Sequence, residues 1–256
     1  MNKFLMIICV IIASSCLLVL LMYLGFTKKI KGDPITELHS AVLRNDIELV
    51  QKLINEGFDV NSNADLYSGG YDQLTPLCLA AENGSMDIIE LLIDAGADIN
   101  KSSPLFYAAN EHHWDLVEFF LEKGANPNYM RWNQTPLSLA AGNSQINLAK
   151  KLIESGADIS YDRVIWNVIG SGSLELIKYL EEKGASYEND KIVPCKAAAS
   201  GSMPVVKYLF DKGIDFNQAY STGDTPFFQA VENGHIEVVV FLIETTLFRG
   251  VIIFLT

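Results

Sequence analysis

Apolar and polar positions divide the chain near residue 31. From Phe4 to Phe26 it reads FLMIICVIIASSCLLVLLMYLGF, about 23 residues without a charge. As a helix rising about 1.5 Å per residue, this run would cross a hydrocarbon core of about 30 Å. It predicts a transmembrane anchor over residues 4–26, inside an amino-terminal section 1–31 that ends in the basic flank Lys28, Lys29 and Lys31. From residue 32 to 256 the apolar positions instead come in short sets at helical spacing. Ile88, Ile89, Leu91 and Leu92, for example, form a wide stripe on one helix, with acids between and beside them.

That second pattern repeats. TELHSAVLRNDIELVQKLINEGFDVN from Thr36 returns as TPLCLAAENGSMDIIELLIDAGADIN from Thr75 and as SPLFYAANEHHWDLVEFFLEKGANPN from Ser103. Further occurrences begin at Thr135, Arg163, Ile192 and Thr225, making seven units over nearly all of the chain beyond the anchor. Gly57, Gly96, Gly124, Gly156, Gly184 and Gly213 mark equivalent points, 28 to 39 residues apart. This is the period of a helical solenoid, in which one unit cannot bury both its faces and stacked neighbours can.

Each unit predicts two antiparallel helices. Thr75 caps the first by accepting backbone N–H bonds, and Pro76 at the first helical position gives up only an N–H that would be unpaired anyway. Ala80 and Ala81 are small where two helices approach closely, Gly84 suits a left-handed end to the first helix, and Gly96 ends the second in the same way. A finger then projects to the next unit.

These residues resemble the ankyrin repeat family, whose TPLHxAA and GADvN signatures stand almost unmodified in the second and fourth units. The resemblance implies an all-α ankyrin-repeat solenoid of about seven helix-turn-helix units over residues 32–256. With the anchor and the short basic start, it implies a bacterial, membrane-anchored member. It implies protein binding and leaves the partner open, because members share a scaffold and differ in what they hold.

The chain departs from the family pattern in several places. The histidine of TPLH survives only as His39; Cys78, Phe106, Ser138, Trp166, Cys195 and Phe228 replace it, which puts the family's inter-unit hydrogen bond in doubt for six units. His112 stands where Gly84 stands one unit earlier, at a position wanting positive φ. In the fifth unit Val168 and Ile169 replace the alanines. The first finger is long, with SNADLYSGGYDQ from Ser62 to Gln73, and several others are short. The end reads TTLFRGVIIFLT, an apolar terminus that would be a capping strand, a contact surface for another chain, or a truncated or shifted frame.

Charge narrows the partners. The net charge is −12, and Lys3, Lys28, Lys29 and Lys31 lie in the first 31 residues with no acid, so the remainder carries −16. Such a body repels nucleic acid. The lysines after the apolar run outweigh Lys3 before it, which favours a cytoplasmic body over a periplasmic one by the positive-inside rule. A cleaved signal peptide, or lipidation at Cys16 after ASSC, is the rival reading of that run, and both leave LLVLLMYLGF without a role.

Candidate chemistry is sparse. Cys9, Cys16, Cys78 and Cys195 make neither a disulfide framework nor a metal signature. His112 and His113 are adjacent and so face different sides of a helix, and no further ligand set accompanies them. Gly170 and Gly172 in IGSGS echo a phosphate loop without its strand or its lysine. No catalytic set, cofactor or metal site is expected, and a monomer is. What stands out is aromatic placement. Tyr67, Tyr71, Tyr129, Tyr161, Tyr187 and Tyr220 fall in the fingers, joined by Arg131, Trp132 and Arg163. These residue types dominate binding hot spots, and they predict a partner surface along the fingers and first helices. The rival is that they only shield the edge of the stack. Within the binding class, a scaffold, an inhibitor or immunity factor covering a partner's active site, and an accessory of a stress-protective enzyme system all fit.

Overall fold

The computed structural model describes residues 36–65, 73–160, 162–220 and 223–247. The anchor at 4–26, Tyr67, Tyr71, Tyr161 and the apolar residues beyond Leu247 lie outside the described residues. Among the described residues fourteen α-helices follow one another in seven hairpins: α1 Glu37–Leu43 with α2 Ile47–Asn55, α3 Pro76–Asn83 with α4 Met86–Asp94, α5 Pro104–Asn110 with α6 Trp114–Glu122, and α7 Pro136–Gly142 with α8 Ile146–Glu154. Then come α9 Asp162–Gly170 with α10 Leu174–Glu182, α11 Ile192–Ser200 with α12 Met203–Asp211, and α13 Pro226–Glu232 with α14 Ile236–Leu242, the last running into a π-turn at Ile243–Leu247. Among the described residues no helix is long and apolar enough to cross a membrane.

Local chemistry accounts for the hairpins. Thr36, Thr75, Thr135 and Thr225 accept from the backbone N–H three residues on, and Thr135 forms a full capping box with Ser138. Between the two helices of a unit the chain takes one left-handed residue. Gly84, Gly172, Gly201 and Gly234 supply it at φ 67° to 74°, and Asn45, His112 and Ser144 adopt it at 54° to 62° despite their Cβ. The third unit therefore keeps its turn with a histidine, at a cost of roughly 1–2 kcal/mol.

Gly84 has a second reason. The His113 ring of the next unit lies where a Cβ would be 2.7 Å away, and its Nε2 bonds the Glu82 carbonyl at 3.1 Å. His235 does the same to the Ala199 carbonyl at 2.9 Å, over Gly201. His113 is thus a stacking residue that satisfies an orphan helix-end carbonyl.

One continuous core runs the length of the stack. Ala80, Ala81, Ala108, Ala109, Ala140, Ala141, Ala197 and Ala198 are buried and let successive first helices pack more closely than successive second helices do. The first helices, with the fingers, therefore lie on the tighter side of the stack. Facing second helices are tied at the surface by Lys151–Glu118 at 2.8 Å and Lys150–Glu175 at 2.6 Å.

The fingers are uneven. The first pairs a two-residue antiparallel ladder, Ala64 with Leu74 and Asp65 with Gln73, the one β-sheet among the described residues of this helical fold. The finger after unit three closes in a tight hairpin, and that after unit six spans Ile214 to Asp224; the other three are short.

Candidate partner-binding surface

The most developed aromatic group is built on Phe106. At the position that holds His39 in the first unit, Phe106 cannot bond the next finger, and it is fully buried as an apolar platform instead. Tyr107 meets it edge-on at 5.8 Å between ring centroids, Tyr129 at 5.6 Å, and Trp132 at 6.2 Å in a tilted arrangement. The Arg131 guanidinium stacks on the Trp132 ring at 4.2 Å, lies 5.5 Å from the Tyr107 ring, and donates to the Tyr107 hydroxyl. These contacts hold the finger tip in one orientation before any partner arrives.

The tip itself is strained. Arg131 and Gln134 exchange backbone bonds of 3.0 and 2.8 Å, closing a two-residue turn in which Trp132 has φ 48° and Asn133 φ 57°. Such turns favour Asn-Gly because both central residues are left-handed. A tryptophan there costs roughly 1–2 kcal/mol, yet it is 63% exposed, beside exposed Met130 and a Tyr129 that is 38% exposed. Backbone strain of this kind clusters at binding and switch sites, which makes the tip a candidate contact position.

The remaining expected residues fare differently. Tyr220 is 46% exposed on the sixth finger, where its N–H bonds the Asp224 carbonyl at 2.9 Å. Arg163 lies in α9, and its side chain, like Tyr67, Tyr71 and Tyr161, falls outside what is described. Tyr187 is a correction: it is 6% exposed and offers no ring to a partner. Its register explains this. Counting from the unit glycine, Tyr187 stands where Val60, Ile99, Ile159 and Phe216 stand, at the apolar root of the finger. Sequence reading missed Met130 and Tyr107; the displaced histidine at Phe106 was the signal that this unit had exchanged a hydrogen bond for an aromatic platform.

Tyr187 instead serves the stack. Its hydroxyl donates to Glu181, which also accepts from Tyr208 at 2.6 Å and pairs with Lys212 at 2.8 Å. Burial alone would raise the Glu181 carboxyl, but the bonds from Lys212, Tyr187 and Tyr208 outweigh it and hold it below the usual range. Burial, then the bond to Glu181, pushes the Tyr187 phenol well up. Beside this network, a recess of about 340 Å³ opens between the fifth and sixth fingers, lined by Glu188, Asp190, Lys191, Pro194, Ile214 and Asp215.

The positions equivalent to His39 link units by several chemistries. His39 bonds Thr36 Oγ1 at 2.5 Å and the Leu74 carbonyl at 3.1 Å, and burial holds its pKa below the ordinary value. Cys78 reaches the Lys101 carbonyl at 3.5 Å, Trp166 donates to Asp190 at 2.5 Å, and Cys195 reaches the Asp224 carbonyl at 3.6 Å. Among the described contacts the lost histidines are therefore replaced as links in units two, five and six, and not in units three and four. Cys78 and Cys195 are free and buried, and burial pushes the Cys78 thiol up to about 12, which makes it a packing residue. Among the described residues no group of three His, Cys, Asp or Glu is placed to hold a metal.

Comparison with known proteins agrees with this architecture. The model of ankyrin repeats in three copies matches residues 6–103, 38–131 and 96–163, and that of ankyrin repeats in many copies matches 195–243. The chain belongs to the ankyrin repeat family. It is 28% identical over 159 residues to an ankyrin repeat protein of Rickettsia felis, a match covering 60% of this chain and 36% of that one. It is 31% identical over 164 residues to alpha-latrocrustotoxin-Lt1a of Latrodectus tredecimguttatus, covering 62% of this chain and 11% of the toxin. The chain thus spans about a third of the first relative and about a tenth of the second. The crystal structure of the human ASB11 ankyrin repeat domain superposes with a TM-score of 0.61 at 19% identity, over 80% of this chain and 97% of that one, a likeness of fold.

Proposed function

We propose that this chain is a membrane-tethered interaction module that captures a protein partner through its fingers and first-helix surface, with the tip Tyr129–Trp132 as anchor. Ankyrin repeats are protein-binding modules, and this supports the general reading. The observation that carries the specific one is Trp132, exposed at the hairpin tip in a left-handed backbone and propped on Phe106, Tyr129 and Arg131. An edge shield would need burial, not a strained and exposed indole.

The test separates the two. Trp132→Asn relieves the turn, so it should raise stability by up to about 1 kcal/mol while weakening partner capture more than tenfold. The triple change Tyr129, Trp132 and Tyr161 to Ala should abolish capture from source-cell membranes and leave helical circular dichroism intact. Loss of folding instead would support the shield. The tether rests on the apolar run at 4–26; carbonate extraction should leave the chain in the membrane fraction, and full release would refute it.

A further inference from the structure

The last unit leaves its stacking face open. Phe227, Phe228 and Val231 on α13 are 45%, 49% and 50% exposed, and Ile236 and Val240 on α14 are exposed beside them. The equivalents of the three α13 residues in earlier units are covered by the next hairpin, whereas those of Ile236 are half-buried and those of Val240 are polar or charged. Leu38, Leu77, Leu105 and Leu137 at the Phe227 position are buried, as are His39, Cys78, Phe106 and Ser138 at the Phe228 position. Val42, Ala81, Ala109, Ala141, Ile169 and Ala198 at the Val231 position are all buried. Among the described residues, the exposed face is therefore a unit-stacking surface without a neighbour.

The geometry points to the chain's own residues 248–256 as the occupant of this face. These nine residues, FRGVIIFLT, follow Leu247 directly and are apolar but for Arg249 and Thr256. Extended, they reach about 30 Å, whereas the seven-residue α13 is about 10 Å long. The segment can therefore cross both helices from its starting point at the end of α14. Being tethered, it competes at an effective concentration in the millimolar range. A second copy is the poorer occupant, because two bodies each carrying −16 would meet end to end. Phenylalanines in place of the leucine and histidine or cysteine of earlier units give the face large flat rings, suited to an extended apolar strand more than to a close-packed helix pair.

The experiment uses the full chain in lipid nanodiscs. Ending the chain after Leu247 should speed amide exchange over 226–242 at least tenfold and leave α3 to α8 unchanged. The full-length double variant V251D/I253D should do the same, which covers the case where the truncated chain does not fold. In a third variant, F228C/I252C, a disulfide should form within one chain, shown by the linked peptide in a mixture of isotope-labelled and unlabelled protein. Unchanged exchange in both altered chains overturns the proposal. A disulfide only between labelled and unlabelled chains assigns the face to a second copy. Absence of any disulfide, with a fluorophore attached through I252C quenched by lipid-phase probes, assigns residues 248–256 to the membrane; either result also overturns it.

Discussion

The first four units and the last three are held together by different means. In units one to three an asparagine at the foot of the finger bridges each unit to the next. Asn61 bonds the Gly96 carbonyl at 3.0 Å and the Asp98 N–H at 2.7 Å, Asn100 accepts from Asn126 at 2.8 Å, and Asn128 bonds the Gly156 carbonyl at 2.9 Å and the Asp158 N–H at 2.8 Å. In the fourth and fifth units Ser160 and Glu188 take that position, and among the described contacts the ladder stops. Between the fifth and sixth units Glu181, gathering Tyr187, Tyr208 and Lys212, does the joining. The difference teaches that a repeat interface is a position to be filled, not a residue to be kept. Where the backbone-mimicking amide is lost, a charged acceptor with several donors takes its place.

The largest break of this contrast comes at Glu181. Glu181→Ala leaves the buried Tyr187 hydroxyl without its acceptor and should cost about 2 kcal/mol. Unfolding should lose its single step, with units five to seven opening before one to four, as read by amide exchange along the denaturant curve. In the amino-terminal half, Asn128→Ala removes two exposed bonds and should cost only about 1 kcal/mol; an equal or larger loss than at Glu181 would erase the distinction. The reverse change, Ser160→Asn, aims an amide at the Gly184 carbonyl and the Ser186 N–H and should add about 0.5 kcal/mol, seen as a higher Tm.

A graded version of the contrast comes from pH. His39 has a folded pKa below 6.5, so its contribution is complete above about 6.5 and is lost as pH falls through the folded value. Glu181 is depressed below 4.5, so its contribution survives down to about 4.5 and is lost only as pH falls through the lower folded value. Acidification should therefore loosen α1 against the second unit first and α10 against α12 afterwards. Amide protection, corrected for intrinsic rates, should show that order; simultaneous loss would count against both assignments.

Most of the fold was legible in the chain because its signals are local. Thr-Pro caps, paired alanines and unit glycines act within one hairpin, and their recurrence alone implied seven stacked units. His112 at a left-handed position was legible for the same reason, and the structure places it at φ 62°. The candidate surface was only half legible. Tyr129, Arg131 and Trp132 were visible as finger residues, but their rank above Tyr187 was not, because a list of finger aromatics ignores register. Tyr187 follows Ser186 as Ile99 follows Asp98, at the root, and a count from Gly184 would have placed it inside.

What the sequence determined by itself, then, is the repeat: its helices, its turns, its acidic surface and the order of its units, all set by interactions between residues fewer than about a dozen positions apart. Only the tertiary structure decided which side chains meet across units. His113 over Gly84, Phe106 beneath Trp132, Glu181 against Tyr208 and Lys212, and the face of α13 left exposed among the described residues are contacts or gaps between neighbours about 20 to 40 residues apart, and their geometry is settled by how closely the alanines let one hairpin approach the next.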